Sequence, residues 1–256
     1  MRDNFEMKMK KPIIIGHRGF RAKYPENTLV SFDAAIRAGV DMIELDVRLS
    51  KDNHLIVIHD EKLDRTTNGH GFVKDFTLPE LKQLDAGSWF DSAFRNEKMP
   101  RLEEVFDFIK GKSLINIEIK PEKDKGNGIV RILAEKTAQT IKKYKAKEFS
   151  LVSSFSRPIL ENIIEIDRDL AVGVLTEWHE EGDFLSLCKS FKAFSWHPYY
   201  KSFNKKDILK MHKAGIKVIP YTVNSEDEIA ELIKMGIDGL FTDDPLTALK
   251  ARDLSY

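Results

Sequence analysis

The sequence predicts an α/β protein, a closed (β/α)8 TIM barrel with an insertion after the second barrel strand. Three observations carry that reading. Eight short, β-branched apolar runs alternate with amphipathic stretches along 256 residues, a length that barrels of this kind fill as one domain. Gly39, Gly215 and Gly236 each close an apolar-periodic stretch just ahead of the next run, where a left-handed helix cap favours glycine. No GxGxxG follows the first run, which disfavours the competing doubly wound open sheet.

Ile13–Gly16 is the first strand. Asn27–Ala38 follows as a helix, with Leu29, Phe32, Ala35 and Ile36 on one face. Met42–Leu49 is the second strand. The run Leu55–His59 is apolar too, but only Ser50–His54 lies ahead of it, and a parallel crossover needs about a dozen residues. The two runs therefore form an antiparallel hairpin turning at Lys51-Asp52-Asn53, with Asp46 roughly across from His59. Residues 61–100 break the rhythm: they hold Gly69, Gly71, Gly87, Pro79, Pro100 and the pair Trp89-Phe90, with one short helix near Leu78–Leu84. A long insertion at one end of a barrel usually serves as a lid or wall. The remaining strands are Leu114–Ile119, Leu151–Ser153, Ala171–Leu175, Ala193–Trp196, Val218–Tyr221 and Gly239–Phe241. Helices are expected at 102–110, 128–143, 157–166, 182–190, 205–214 and 226–235, giving one catalytic domain over 1–256.

Composition narrows the function. Hydrophobic residues at 42% and charged residues at 32% exclude a disordered chain. Lys plus Arg number 41 and Asp plus Glu number 41, which argues against nucleic acid or an anionic membrane as partner. A single cysteine, Cys188, rules out an intrachain disulfide, fits a reducing compartment and is expected to pack as a small apolar residue. Met1–Lys11 is charged and lacks the apolar run of a signal peptide. No stretch approaches the roughly 18 apolar residues of a membrane helix. The expectation is a cytoplasmic protein with no stable membrane anchoring.

Barrel active sites stand at the C-terminal ends of the strands. His17-Arg18-Gly19 ends the first strand, Glu44 and Asp46 alternate along the second, and Glu118 leads to Lys120 on the next. Strand alternation puts Glu44 with Asp46, and Glu118 with Lys120, on common faces among apolar neighbours. Carboxylates crowded into an apolar interior repel unless neutralised. Arg18, Arg48 and Lys120 could neutralise them as a salt-bridge cluster. The same pattern on adjacent strands, with histidines nearby, points instead to one divalent ion, Mg2+ or Ca2+, both of which suit carboxylate oxygens. His17 and His59 are the candidates for proton transfer. Arg18 and Lys120 can meet a phosphate, Arg bidentately and Lys as a point charge. His197, ending a later strand before Pro198, is expected on the pocket wall; His54, His70, His179 and His212 are expected at the surface. Together these residues suit a phosphoester.

With these residues in place, the sequence resembles the glycerophosphodiester phosphodiesterases. The match rests on His17-Arg18-Gly19, Pro25-Glu26-Asn27-Thr28, Glu44-Leu45-Asp46-Val47, His59-Asp60, Arg65-Thr66-Thr67, Glu118-Ile119-Lys120, Tyr221-Thr222-Val223-Asn224, and Gly236 with Asp238-Gly239 and Thr242-Asp243. The resemblance implies a (β/α)8 barrel with an insertion after the second strand, and hydrolysis of a glycerophosphodiester to sn-glycerol 3-phosphate and an alcohol. It puts metal ligands on Glu44, Asp46 and Glu118, an acid/base pair on His17 and His59, and phosphate contacts on Arg18 and Lys120. Tyr221 stands where the family often has Trp and keeps an aromatic wall. The family is similar to barrel phospholipases C, which implies attack by the glycerol 2-hydroxyl with His17 as first base, or else direct attack by water. Other expectations are a lysophospholipase D or phosphatidylinositol-cleaving enzyme on the same barrel, with Trp89, Phe90 and Phe94 facing lipid, or a non-catalytic phosphate-binding barrel. Monomer and homodimer stay open.

Overall fold

The computed structural model describes residues 11–121 and 127–255; residues 1–10, on which the signal-peptide expectation rests, lie outside them. Eight parallel strands run in the order β8-β7-β6-β5-β4-β2-β1-β9. They are β1 (Ile13–Gly16), β2 (Met42–Leu49), β4 (Leu114–Ile119), β5 (Ser150–Ser154), β6 (Ala171–Thr176), β7 (Ser195–Pro198), β8 (Lys217–Val218) and β9 (Gly239–Thr242). β9 returns to β1, with Ile13 opposite Gly239 and Gly16 opposite Thr242. β8 is short because Pro220 has no N–H to give to a ladder. Asp238 N–H donates to the Val218 carbonyl (2.9 Å) and Phe241 N–H to that of Pro220 (3.0 Å), which nearly closes the barrel.

Strand alternation divides the core. Ile14, Ile43, Leu45, Ile115, Ile117 and Val152 point outward to the helices. Ile13, Ile15, Met42, Leu114, Leu151 and Phe241 form a second apolar cluster. Glu44 and Asp46 share parity with Met42, and Asn116, Glu118 and Lys120 with Leu114, so the inner face turns from apolar to charged toward the strand ends.

The helices are α1 (Leu29–Ala38), α2 (Leu78–Gln83), α3 (Leu102–Ile109), α4 (Asn127–Lys143), α5 (Arg157–Ile166), α6 (Phe184–Ser190), α7 (Lys205–Lys213), α8 (Glu226–Met235) and α9 (Pro245–Leu254). α9 is missing from the sequence reading. Two of its leucines, Leu246 and Leu254, face solvent and blur its apolar stripe. Its start is well marked, since Asp244 caps it and Pro245 occupies the first turn. Among the described residues no helix is long and apolar enough to cross a membrane. Trp196 of β7 is buried, stacks on Phe184 and donates its indole N–H to Thr176 Oγ1 at 3.0 Å. Trp196→Ala is expected to cost about 3–5 kcal/mol of stability in urea unfolding.

β2 pairs antiparallel with β3 (Leu55–Val57), confirming the hairpin. Val47 faces Val57, and Ile58 N–H donates to the Asp46 carbonyl, so Asp46 lies across from Ile58, one residue short of His59. Beyond the hairpin, Ile58, Leu63, Val73, Leu81, Ala86 and Met99 build a small core of their own. Val57 N–H donates to the Pro100 carbonyl at 2.9 Å, where the chain comes back to the barrel. Phe90 and Phe94 join Tyr24 in a chain of edge and tilted ring contacts, with Trp89 packed edge-on against Phe90.

Candidate active site

A cavity of about 420 Å³ opens where β1, β4, β5 and β6 end. His17, Arg18, Glu44, His59, Glu118, Lys120 and Tyr221 all line it. The local chain geometry that brings them there is tight. Arg18 (φ 54°) and Gly19 (φ 87°) are left-handed, and a Cβ on Gly19 would fall 2.3 Å from Ser31 Oγ. This turn aims the Arg18 N–H at Glu44 Oε2, 2.7 Å away. Asn27 is also left-handed (φ 58°) and donates its amide to Asp46 Oδ2 at 2.9 Å, while Thr28 caps α1. Non-glycine residues at positive φ concentrate where a site dictates the backbone.

Glu44, Asp46 and Glu118 are buried, and one oxygen from each lies within 4.8 Å of the others. Of these buried oxygens, Glu44 Oε1 has no hydrogen-bond partner. Lys120 Nζ forms ion pairs with two of these oxygens, 3.3 Å from Asp46 and 2.5 Å from Glu118. Arg18 Nε lies 3.3 Å from Asp46 Oδ2. Burial, then Asp46 and Glu118, push the Glu44 pKa well above the usual carboxylate range. Burial also raises Glu118, whereas Lys120 and Arg18 outweigh burial at Asp46 and hold it ionised. An all-oxygen set with an undonated buried atom at Glu44 fits a hard divalent cation.

Each histidine is gripped at Nδ1 by a carboxylate: His17 by Asp243 Oδ1 and His59 by Asp60 Oδ1, both at 2.6 Å. Nε2 is then the ring nitrogen available to a substrate. Burial and Arg18 push the His17 pKa below its ordinary value, against Asp243. Burial, with Lys120 and Arg18, takes His59 down to about 4, against Asp46 and Asp60. The surroundings thus favour the neutral form of both rings. The His17 side chain is 13% exposed and that of His59 30%.

Tyr221 lines the cavity, edge-on to Phe155, and its hydroxyl donates to the Thr176 carbonyl at 2.9 Å. His197 does not reach the wall. It is fully buried against Phe241, with Nε2 on Ser195 Oγ at 2.7 Å. Gly173 makes room for it, since a Cβ there would lie 2.5 Å from the ring. His212 lies on the surface helix α7, away from the cavity, and pairs with Asp238 at 2.7 Å. Sequence reasoning passed over Asp60 and Asp243 as histidine partners, and over Asn27 as the residue that orients Asp46. All three stand inside the motifs quoted above.

Residues 17–247 match the model of the glycerophosphoryl diester phosphodiesterase family. A glycerophosphodiester phosphodiesterase of Caldanaerobacter subterraneus subsp. tengcongensis is 42% identical over 248 residues, covering 93% of this chain and 97% of that protein. One from Bacillus altitudinis is 39% identical, covering 94% and 98%. Among solved structures, an Oleispira antarctica phosphodiesterase in complex with the product sn-glycerol-3-phosphate superposes with a TM-score of 0.90. It is 29% identical and covers 98% of this chain and 99% of its own.

Proposed function

The chain belongs to the glycerophosphoryl diester phosphodiesterase family, and from that premise we propose that it hydrolyses glycerophosphodiesters to sn-glycerol 3-phosphate and an alcohol, using His17 and His59 as acid and base. One observation carries this: two carboxylate-held histidines, two cations and a carboxylate cluster converge on a single cavity. The product held by the Oleispira antarctica neighbour supports it. Residues 1–256 act as one catalytic unit; the insertion 61–100 stands beside the cavity and not in its lining, and meets the site through Arg65, which holds Asp60 and Glu26. The location is cytoplasmic, in keeping with one buried thiol that burial raises to about 12.

Arg18 and Lys120 draw in the phosphodiester anion and hold it beside the histidines. Glu44, Asp46 and Glu118 would hold Mg2+ or Ca2+, which polarises a phosphoryl oxygen when bound. His17 takes the proton of the attacking hydroxyl at Nε2, while Asp243 fixes its ring and stabilises the charge it gains. His59 protonates the leaving alkoxide. It is the more exposed of the two, and an acid that must be recharged belongs nearer solvent. An anionic substrate opposes the repulsion from Arg18 and Lys120, which favours the protonated ring. The attacking hydroxyl is the glycerol 2-hydroxyl, which leaves a cyclic phosphate; water then opens that ring with the roles reversed, His59 taking the proton of water and His17 returning its proton to the 2-oxygen, to give sn-glycerol 3-phosphate.

Incubation with glycerophosphocholine is expected to release glycerol 3-phosphate, followed by coupled oxidation, with a trappable cyclic phosphate on the way. A matching diester without the 2-hydroxyl should not turn over. Release of phosphocholine instead would overturn the assigned bond. Turnover of the deoxy diester would shift the attack to water.

A further inference from the structure

Glu26 lies outside the cavity lining, yet it touches more of the site's supports than any residue assigned above. It is 4% exposed and its carboxylate takes four hydrogen bonds from three guanidinium groups. Oε1 accepts from Arg18 Nη1 (2.8 Å) and Arg65 Nη2 (2.7 Å). Oε2 accepts from Arg21 Nε (3.0 Å) and Arg65 Nη1 (2.9 Å). Burial alone would raise its pKa, but the Arg65 bonds and the charges of Arg18 and Arg21 hold it at about 2.

Each arginine then continues to a different working group. Arg65 grips Asp60 through Nε at 2.6 Å, and Asp60 holds His59. Arg21 reaches Asp243 at 3.5 Å, and Asp243 holds His17. Arg18 lies on Asp46 within the carboxylate cluster. Three branches leave one buried carboxylate, and both histidines stand at branch ends.

We infer that Glu26 is the shared positioning residue of the site, setting both histidines at once through the Arg65–Asp60 and Arg21–Asp243 branches. The inference rests on the acid/base reading above. Without the Glu26 charge, a glutamine amide leaves one neutral oxygen for three guanidinium groups, so Arg65 and Arg21 turn to Asp60 and Asp243 and draw those carboxylates off the imidazoles. Glu26 itself touches no substrate and takes no proton.

The test compares Glu26→Gln with wild type on two glycerol phosphodiesters. One carries an alkyl alcohol, which needs an acid to leave. The other carries p-nitrophenol, which leaves unaided. On the alkyl diester kcat is expected to fall about 10–100-fold, the usual effect of removing an outer partner of a catalytic group. On the aryl diester the fall should be no more than about a third as large, because the acid arm is no longer needed. Partial unfolding or general loosening lowers both rates by the same factor, so equal losses would overturn the inference, as would no loss. Should Glu26→Gln fail to fold, Arg65→Ala and Arg21→Ala cut the branches from side chains that are only partly buried. Arg65→Ala should reproduce the leaving-group sensitivity, and Arg21→Ala should slow both substrates alike. Wild-type rates in both branch variants would overturn the inference. Failure of the functional reading is distinct: wild type itself would then release no glycerol 3-phosphate.

Discussion

Replacing His17 or His59 with alanine is expected to lower kcat on a glycerophosphodiester about 10²–10⁴-fold in each case, with the fold retained. Both rings sit at strand or hairpin ends and not in the packed core, so their loss removes one carboxylate contact each and, in the proposed mechanism, a proton-transfer group. Their effects should not add. Once attack and departure are no longer coordinated, the double variant is expected to fall little below the slower single variant. Leaving-group choice separates the two. His59→Ala should recover more on a p-nitrophenyl diester than His17→Ala, because only the base is still needed there. Steady-state kinetics beside a thermal melt measures all of this. A loss below about tenfold in both singles would remove the acid/base assignment.

Chelation is the second large effect. Exhaustive EDTA treatment is expected to abolish turnover, and Mg2+ or Ca2+ to restore it. The carboxylate cluster gives this a direct structural readout. An ion bound at a hundred times its dissociation constant stabilises the folded chain by about 2.7 kcal/mol, visible as a rise in Tm. Because burial and its neighbours favour the protonated form of Glu44, the ion must displace a proton, and its affinity should climb as pH rises. Asp46→Asn and Glu118→Gln should each weaken the metal-induced rise in Tm. Full activity after chelation, with no metal left by elemental analysis, would sink the assignment.

Much of this architecture is written locally. The glycine caps at Gly39 and Gly236 are left-handed in the structure, as a strand following directly on a helix requires. The parity of Glu44, Asp46, Glu118 and Lys120 follows from strand periodicity alone, because the same strands carry outward apolar residues at the intervening positions. What stayed hidden depends on distant partners. His17 and Asp243 lie 226 positions apart, and although each stands in a quoted motif, no local spacing pairs them. The burial of His197 depends on a missing side chain, Gly173, on the neighbouring strand. The hairpin register missed by one residue because the turn geometry, with Asn53 left-handed, decides which residue faces Asp46. Glu26 looks like any acid in a loop until three arginines from separate positions surround it.

The excursion between the hairpin and α3 leaves and rejoins the barrel at one place. Val57 bonds to Pro100, and Ile56 bridges to Arg101. Its two ends are thus clasped side by side, and it carries a core of its own. Lengthening a loop whose ends are already fixed is cheap, about 0.6 kcal/mol for each doubling. The excursion therefore behaves as a separate unit clasped at its stem: Arg65 ties it to Glu26, Phe94 to Tyr24 and Lys82 to Glu104, and a change of length in its outer turns that leaves these ties intact should leave His59 in place.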